Sequence, residues 1–168
     1  MRTIFALTSL AALAFASAAS ATPLSVERIS YSPEFQTALN DDYGPREGVV
    51  LQNLVSDAVN GALTRRGANL GAPLTVEISI VDADPNRPTM YQLRENPDLD
   101  AIRSISIGGA ELRAVLRSAD GAVVGEVTHR RYDATLEDAL GSGTWSSARQ
   151  AIRQFANKVA DAYVAAQR

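Results

Sequence analysis

The amino-acid sequence predicts a two-layer α+β domain: a mixed sheet of about four strands with two helices on one face, in the order β-α-β-β-β-α. Three observations predict it. Apolar residues recur every three or four positions in two stretches, after Pro45 and after Thr144; they alternate from Leu74 onward; and Gly-, Pro- and Asp-rich segments separate these stretches. One-sided alternation describes a sheet with one face on a core and one in water, and the two amphipathic helices supply the cover.

The first residues read as a targeting signal. Met1-Arg2-Thr3 gives a positive start, Ile4 to Ala16 is an apolar run too short for a permanent bilayer span, and Ala19-Ser20-Ala21 has the A-x-A form of a signal-peptidase site. Cleavage is expected between Ala21 and Thr22, making 1–21 a signal peptide and 22–168 a single α+β domain, periplasmic or secreted. Removal of 21 residues from 168 leaves 147. A chain of that size buries about two-thirds of its unfolded surface and needs no covalent staple. None is offered, because the chain has no cysteine. Disulfides, thiolate metal sites and a lipid-accepting cysteine are therefore ruled out, and no stable membrane anchor is expected after cleavage.

Loss of Arg2 changes 16 basic residues to 15 against 19 acidic ones, a formal charge of −4. That sign disfavours nucleic acid, whose phosphates are bound by basic surfaces. Lys158 is the one lysine; every other fixed cation is arginine.

In chain order, Val26 to Tyr31 predicts a strand ended by Ser32-Pro33, and Asn40 to Pro45 a turn that prepares a helix. The helix carries Leu51, Leu54, Val55, Ala58, Ala62 and Leu63 on one face, and Arg65-Arg66-Gly67 ends it. Leu74, Val76, Ile78 and Ile80 then alternate as a strand up to Asp82-Ala83-Asp84-Pro85. A long loop, Asp82 to Asp100, follows. Beyond it the apolar set is odd at Ile105 and Ile107 but even at Ala110, Leu112, Ala114 and Leu116, which predicts a bulge at Gly108-Gly109 within one long strand.

Ser118 to Gly121 turns the chain. A two-residue turn sets Leu112 opposite His129 and Leu116 opposite Gly125; a four-residue loop sets Leu116 opposite Val123, Leu112 opposite Val127 and Arg113 opposite Glu126. The second matches side chains better and is the predicted register. Asp133 to Gly143 is a connector with a helical turn near Leu136 to Leu140, and Thr144 is placed to cap a final helix with Trp145, Ala148, Ile152, Phe155, Val159 and Ala162 on its stripe.

Little in this chain reads as catalysis. His129 is the one histidine, and no G-x-S-x-G elbow presents a serine to it, so a hydrolase using His129 is a remote alternative to a non-enzymatic protein. Asp82, Asp84 and Asn86 imitate the opening of a calcium loop, but Arg87 replaces its glycine and Leu93 its closing glutamate. Neither a metal nor a cofactor is expected. Two surfaces remain. A loop of about 18 residues is unusual in a compact domain unless it functions, and Asn86, Arg87, Thr89, Met90 and Tyr91 are its candidates for binding a partner in the cell envelope. Ser142, Gly143, Thr144 and Trp145, at a helix start, are candidates for binding an anion or small ligand.

Pro85-Asn86-Arg87-Pro88-Thr89, the Ser104 to Ala110 segment and Trp145-Ser146-Ser147-Ala148-Arg149 together resemble a domain-of-unknown-function family of small bacterial envelope lipoproteins, over Leu74 to the C-terminus. The resemblance implies export and an α+β fold, with no catalytic residues to transfer; the absence of a lipid-accepting cysteine departs from that family and favours a soluble form. The coarse element order is also similar to the N-terminal domain of the Tol-system periplasmic propeller protein, an interaction module. The exported protein is expected to begin at Thr22 by intact-mass measurement; a chain retaining Met1 would refute the cleavage.

Overall fold

The computed structural model describes residues 26–72 and 74–168, and the signal peptide expected at 1–21 lies outside them. Strand β1 (Val26–Tyr31) runs parallel to β2 (Thr75–Asp84); β2 is antiparallel to β3 (Gly109–Arg117), and β3 to β4 (Val123–Tyr132). The strand order is β1-β2-β3-β4, so the sheet is mixed, as expected. A parallel neighbour requires a crossover, which helix α2 (Pro45–Arg65) supplies. Helix α4 (Ser146–Ala166) lies against β3 and β4 and beside α2.

Alternation places Val76, Ile78 and Ile80 of β2 and Ala110, Leu112, Ala114 and Leu116 of β3 on one buried face. Leu51, Val55, Val59 and Leu63 of α2 and Ile152, Phe155, Val159 and Tyr163 of α4 close over it. Each such large side chain contributes about 1.5–3 kcal/mol on burial. The opposite face is wet and carries cross-strand ion pairs: Arg113–Glu126 at 2.9 Å, and Arg117–Glu77 and Arg130–Glu111 at 3.2 Å. Pairs this exposed contribute little stability but oppose stacking of two sheets. Among the described residues no helix is long and apolar enough to cross a membrane.

The structure corrects four sequence expectations. Residues between β1 and α2 form a short helix, α1 (Pro33–Ala38), and a π-helical turn, Leu39–Tyr43, before Gly44 breaks the path at φ +94°. Ser32 caps α1 by accepting from Phe35 N–H at 3.0 Å, and Phe35 and Leu39, one turn apart, bury themselves. Two apolar residues are too few to display a helical period.

The bulge is in β2. Ile80 pairs with Leu112 and Asp82 with Glu111, so Val81 is the extra residue. Its carbonyl accepts from Ser32 Oγ at 2.7 Å. Past this point parity reverses: Ala83 joins the core while Asp82 and Asp84 take the open face. Gly108-Gly109 is therefore no bulge; β3 begins at Gly109, and Ser104 to Gly108 runs outside the sheet. Glycine is needed at 109 for a different reason. A Cβ there would sit 2.3 Å from Arg131 O and 2.5 Å from Tyr132 Cα, where the Tyr132 side chain crosses β3 to donate to Asp82 Oδ2.

The hairpin takes the register assigned to the shorter turn, with Leu112 opposite His129 and Leu116 opposite Gly125, then Arg117 opposite Val123 after an irregularity. Gly121 at φ +85° and the Gly121 N–H to Ser118 O bond at 2.9 Å close the turn. Matching apolar partners misled because β4 is an edge strand in which only Val127 is buried; Leu112 and Leu116 face the core under α4 instead. Arg113 still meets Glu126, on the diagonal. Finally, Thr144 does not cap α4; Trp145 precedes its first turn without a side-chain cap bond.

Gly109→Ala is expected to lower stability by about 3 kcal/mol, the upper end of overpacking costs. Chemical denaturation checks it, and an unchanged midpoint would show that the strands can part there at no cost.

Candidate functional site

The segment from Asp82 to Asp100 is folded rather than loose. Strand β2 runs on to Asp84, and helix α3 (Met90–Glu95) has a reciprocal capping box: Thr89 Oγ1 accepts from Gln92 N–H at 3.2 Å, and Gln92 Oε1 accepts from Thr89 N–H at 3.0 Å. Asp100 then accepts from Ile102 and Arg103 N–H, both at 2.7 Å, in a tight turn that leads to Ser104. These two backbone bonds hold its carboxyl below the ordinary range.

Asn86 joins this segment to everything around it and is fully buried. Its Nδ2 donates to Asp133 Oδ2 at 2.7 Å, and its Oδ1 accepts from Ser147 N–H at 2.9 Å, inside the first turn of α4. Its backbone donates to Thr144 O at 2.7 Å and accepts from Ser106 N–H at 3.1 Å. Asp133 Oδ2 also accepts from Ser147 Oγ at 2.7 Å and Gly108 N–H at 3.3 Å. A Cβ at Gly108 would come within 2.4 Å of Asn86 Nδ2. The exits of β2 and β4, the approach to β3 and the start of α4 thus meet at one amide and one carboxylate.

Beside this junction a cleft of about 310 Å³ opens between the end of β2, α3 and Ser104–Ile107. Pro85, Pro88, Leu99, Ile105 and Ile107 form its apolar wall, and Tyr43, Asp84, Gln92 and Arg87 its polar one. Tyr43 Oη donates to Asp84 Oδ1 at 2.8 Å. Burial raises Asp84 above the ordinary carboxyl range, against the lowering effect of the Tyr43 bond, and the nearby Asp82 charge adds to the rise; burial and Asp84 together push the Tyr43 phenol up. Along the rim the backbone is unevenly used. Ser106 N–H is tied to Asn86 O and Ser106 Oγ to Pro85 O, whereas the N–H and C=O of Ile105 and Ile107 make no hydrogen bond among the described residues. Ile107 is 42% exposed.

The predicted partner-binding residues divide. Asn86 and Thr89 are buried and structural, a correction to their assignment as a binding surface; Thr89 Oγ1 also donates to Tyr43 O at 2.8 Å. Arg87 is half committed, its Nε donating to Ser142 O at 3.2 Å and its Nη1 to Ile102 O, although it lines the cleft. Tyr91 lies across Gly44, with its Cβ 2.7 Å from where a Gly44 Cβ would stand, and Arg94 stacks on its ring at 5.7 Å. Met90 alone projects freely, 72% exposed.

The predicted anion site is partly taken up by the chain's own groups. Ser142 N–H donates to Ala139 O at 3.2 Å, Gly143 N–H to Ser146 Oγ at 2.9 Å, and buried Trp145 Nε1 to Glu47 Oε2 at 2.7 Å, while Thr144 O is taken by Asn86. A neighbouring hollow of about 450 Å³ contains Arg131, but Asp133 and Asp138 face it there, so it offers no net positive field. His129 lies between β4 and α4, with Nε2 3.0 Å from Gln154 Oε1 and Nδ1 3.1 Å from Lys158 Nζ. Burial, then Lys158, lowers its pKa; neither a serine nor a carboxylate is among its hydrogen-bond partners. Among the described residues no three His, Asp or Glu side chains converge as metal ligands.

Tyr43, Asp84, Gln92, Leu99 and Ser104–Ile107 were not singled out as site residues from sequence. One signal pointed to part of them: the odd parity of Ile105 and Ile107, which marks a segment that does not share the core face of β3. Comparison with protein-family models, curated proteins and solved structures found no significant match.

Asn86→Ala is expected to cost about 3 kcal/mol, because it leaves Ser147 N–H and one Asp133 interaction unpaired in a buried place. A melting temperature close to that of the unsubstituted chain would contradict the junction's role.

Proposed function

We propose that this chain is a non-enzymatic protein-interaction module of the cell envelope, exported by its N-terminal segment, that receives an extended segment of a partner protein along Ser104–Gly108 over the cleft. The observation that carries the reading is the pair of unused peptide groups at Ile105 and Ile107, flanking a Ser106 whose N–H is held inward by Asn86. Free main-chain donors and acceptors at alternate residues can template a further strand: main-chain bonds give affinity, and pockets beside the strand select side chains. The adjoining cleft offers such a pocket, apolar along Pro85, Pro88 and Leu99 and polar at Asp84 and Gln92. The sequence resemblance to small envelope lipoproteins favours the same setting, with the difference that this chain has no cysteine to lipidate. The alternative of an anion or small-ligand protein is less well supported, since the N–H groups of Ser142 and Gly143 are already engaged.

A displayed library of linear peptides tests the proposal. Enrichment of peptides with alternating apolar residues is expected, and Ile107→Pro, which deletes an N–H that no described hydrogen bond uses, should weaken their binding about tenfold while shifting Tm by no more than about 2 °C. Failure to enrich any peptide, or full binding by a folded Ile107→Pro chain, would overturn it.

A further inference from the structure

Away from the cleft, and independently of it, the outer side of the helical layer carries a second concave surface. A groove of about 270 Å³ follows the seam between α2 and α4, lined by Leu54, Asp57 and Ala58 on one side and Arg149, Ile152 and Arg153 on the other. On α2, Leu54 and Ala58 lie one helical turn apart and only half bury themselves, and Val50, one turn earlier, is 37% exposed. The stripe therefore continues beyond what the sheet covers.

The charges along this groove are arranged by rim. The α2 rim bears the carboxylate of Asp57, the α4 rim bears the guanidinium groups of Arg149 and Arg153, and none of the three is in an ion pair among the described residues. Arg66, just past the end of α2, and Asp161 of α4 are satisfied by each other at 2.6 Å. A groove whose two rims carry opposite unpaired charge is complementary to itself under one operation. A two-fold axis lying in the contact plane and parallel to the seam sets α2 of one copy over α4 of the other, so that Asp57 meets Arg149 and Arg153 twice. An axis across the seam would instead set Asp57 on Asp57 and the arginines on one another, which like charges oppose.

We infer that the α2–α4 seam is a self-association surface, on which a second copy of this chain docks about a two-fold axis parallel to the groove. The apolar floor of Leu54, Ala58 and Ile152 supplies contact, and the reciprocal charge pairs fix the register. Because the pairs lie at an exposed rim, association weakens as salt rises.

Sedimentation equilibrium on the processed chain tests this. The unsubstituted chain is expected to dimerise, with a dissociation constant that rises with salt. Asp57→Arg alone, and the double variant Arg149→Asp/Arg153→Asp alone, should each raise it about tenfold or more, since each copy then presents like charges to its own kind. Mixing the two variants should restore dimerisation, because one pair of rims is native and the other reversed on both sides. All three positions are exposed, so the variants are expected to keep the far-ultraviolet circular dichroism of the parent. A parent that stays monomeric at its highest soluble concentration, or a dimer indifferent to either variant, would overturn the inference, as would a mixture no more associated than its components.

Discussion

The structure depends on a buried amide placed against a half-buried carboxylate. Asn86 and Asp133 stand at the exits of β2 and β4, 47 residues apart in the chain, and between them they hold the approach to β3 and the first turn of α4. In a low-dielectric place each of these bonds is stronger than in water, and each is costly to leave unmade. The consequence is geometric as well as energetic. Ser147 N–H on Asn86 anchors the start of α4 at the exit of β2, and Trp145 just before it donates to Glu47 at the start of α2. The cleft is tied to the same junction, because Ser106, the middle of its rim, is hydrogen-bonded to the backbone of Asn86.

Much of the fold was legible in the residues because it rests on local periodicity. The even apolar set of Leu74 to Ile80, the three-and-four spacing around Leu51 and Ile152, and Pro45 and Gly67 at the two ends of α2 correspond to elements in the structure, Gly67 at φ +63°. The parity change between Ile107 and Ala110 was also a true signal, but it has two physical sources that a single strand cannot distinguish: a bulge, or an exit from the sheet. Here it is an exit, and the bulge sits in β2, where Val81 is compensated by Ser32 from a different element.

The site was less legible for the same reason carried further. Tyr43 and Asp84 are 41 residues apart, Arg87 and Ser142 are 55 apart, and nothing in the residue types announces these meetings. Asn86 illustrates the difficulty: a polar residue between two prolines in a long segment has the composition of a binding loop, yet it is the most enclosed polar side chain of its neighbourhood. Length without secondary structure suggested function; what the length provides is a capped helix and a turn that form one bank of a cleft.

The parallel pairing of β1 with β2 has a consequence in time. A chain synthesised from its N-terminus presents β1 first, but β1 has no partner strand until β2 arrives after the whole of α2, and α2 has no neighbour along its seam until α4, the last 21-residue helix, is present. Contacts such as Trp145–Glu47 and Arg66–Asp161 then close spans of 98 and 95 residues. Non-local closure of this kind makes folding slow relative to helix formation. Completion of the helical cover therefore waits on the final helix, the element against which α2, β3 and β4 all pack.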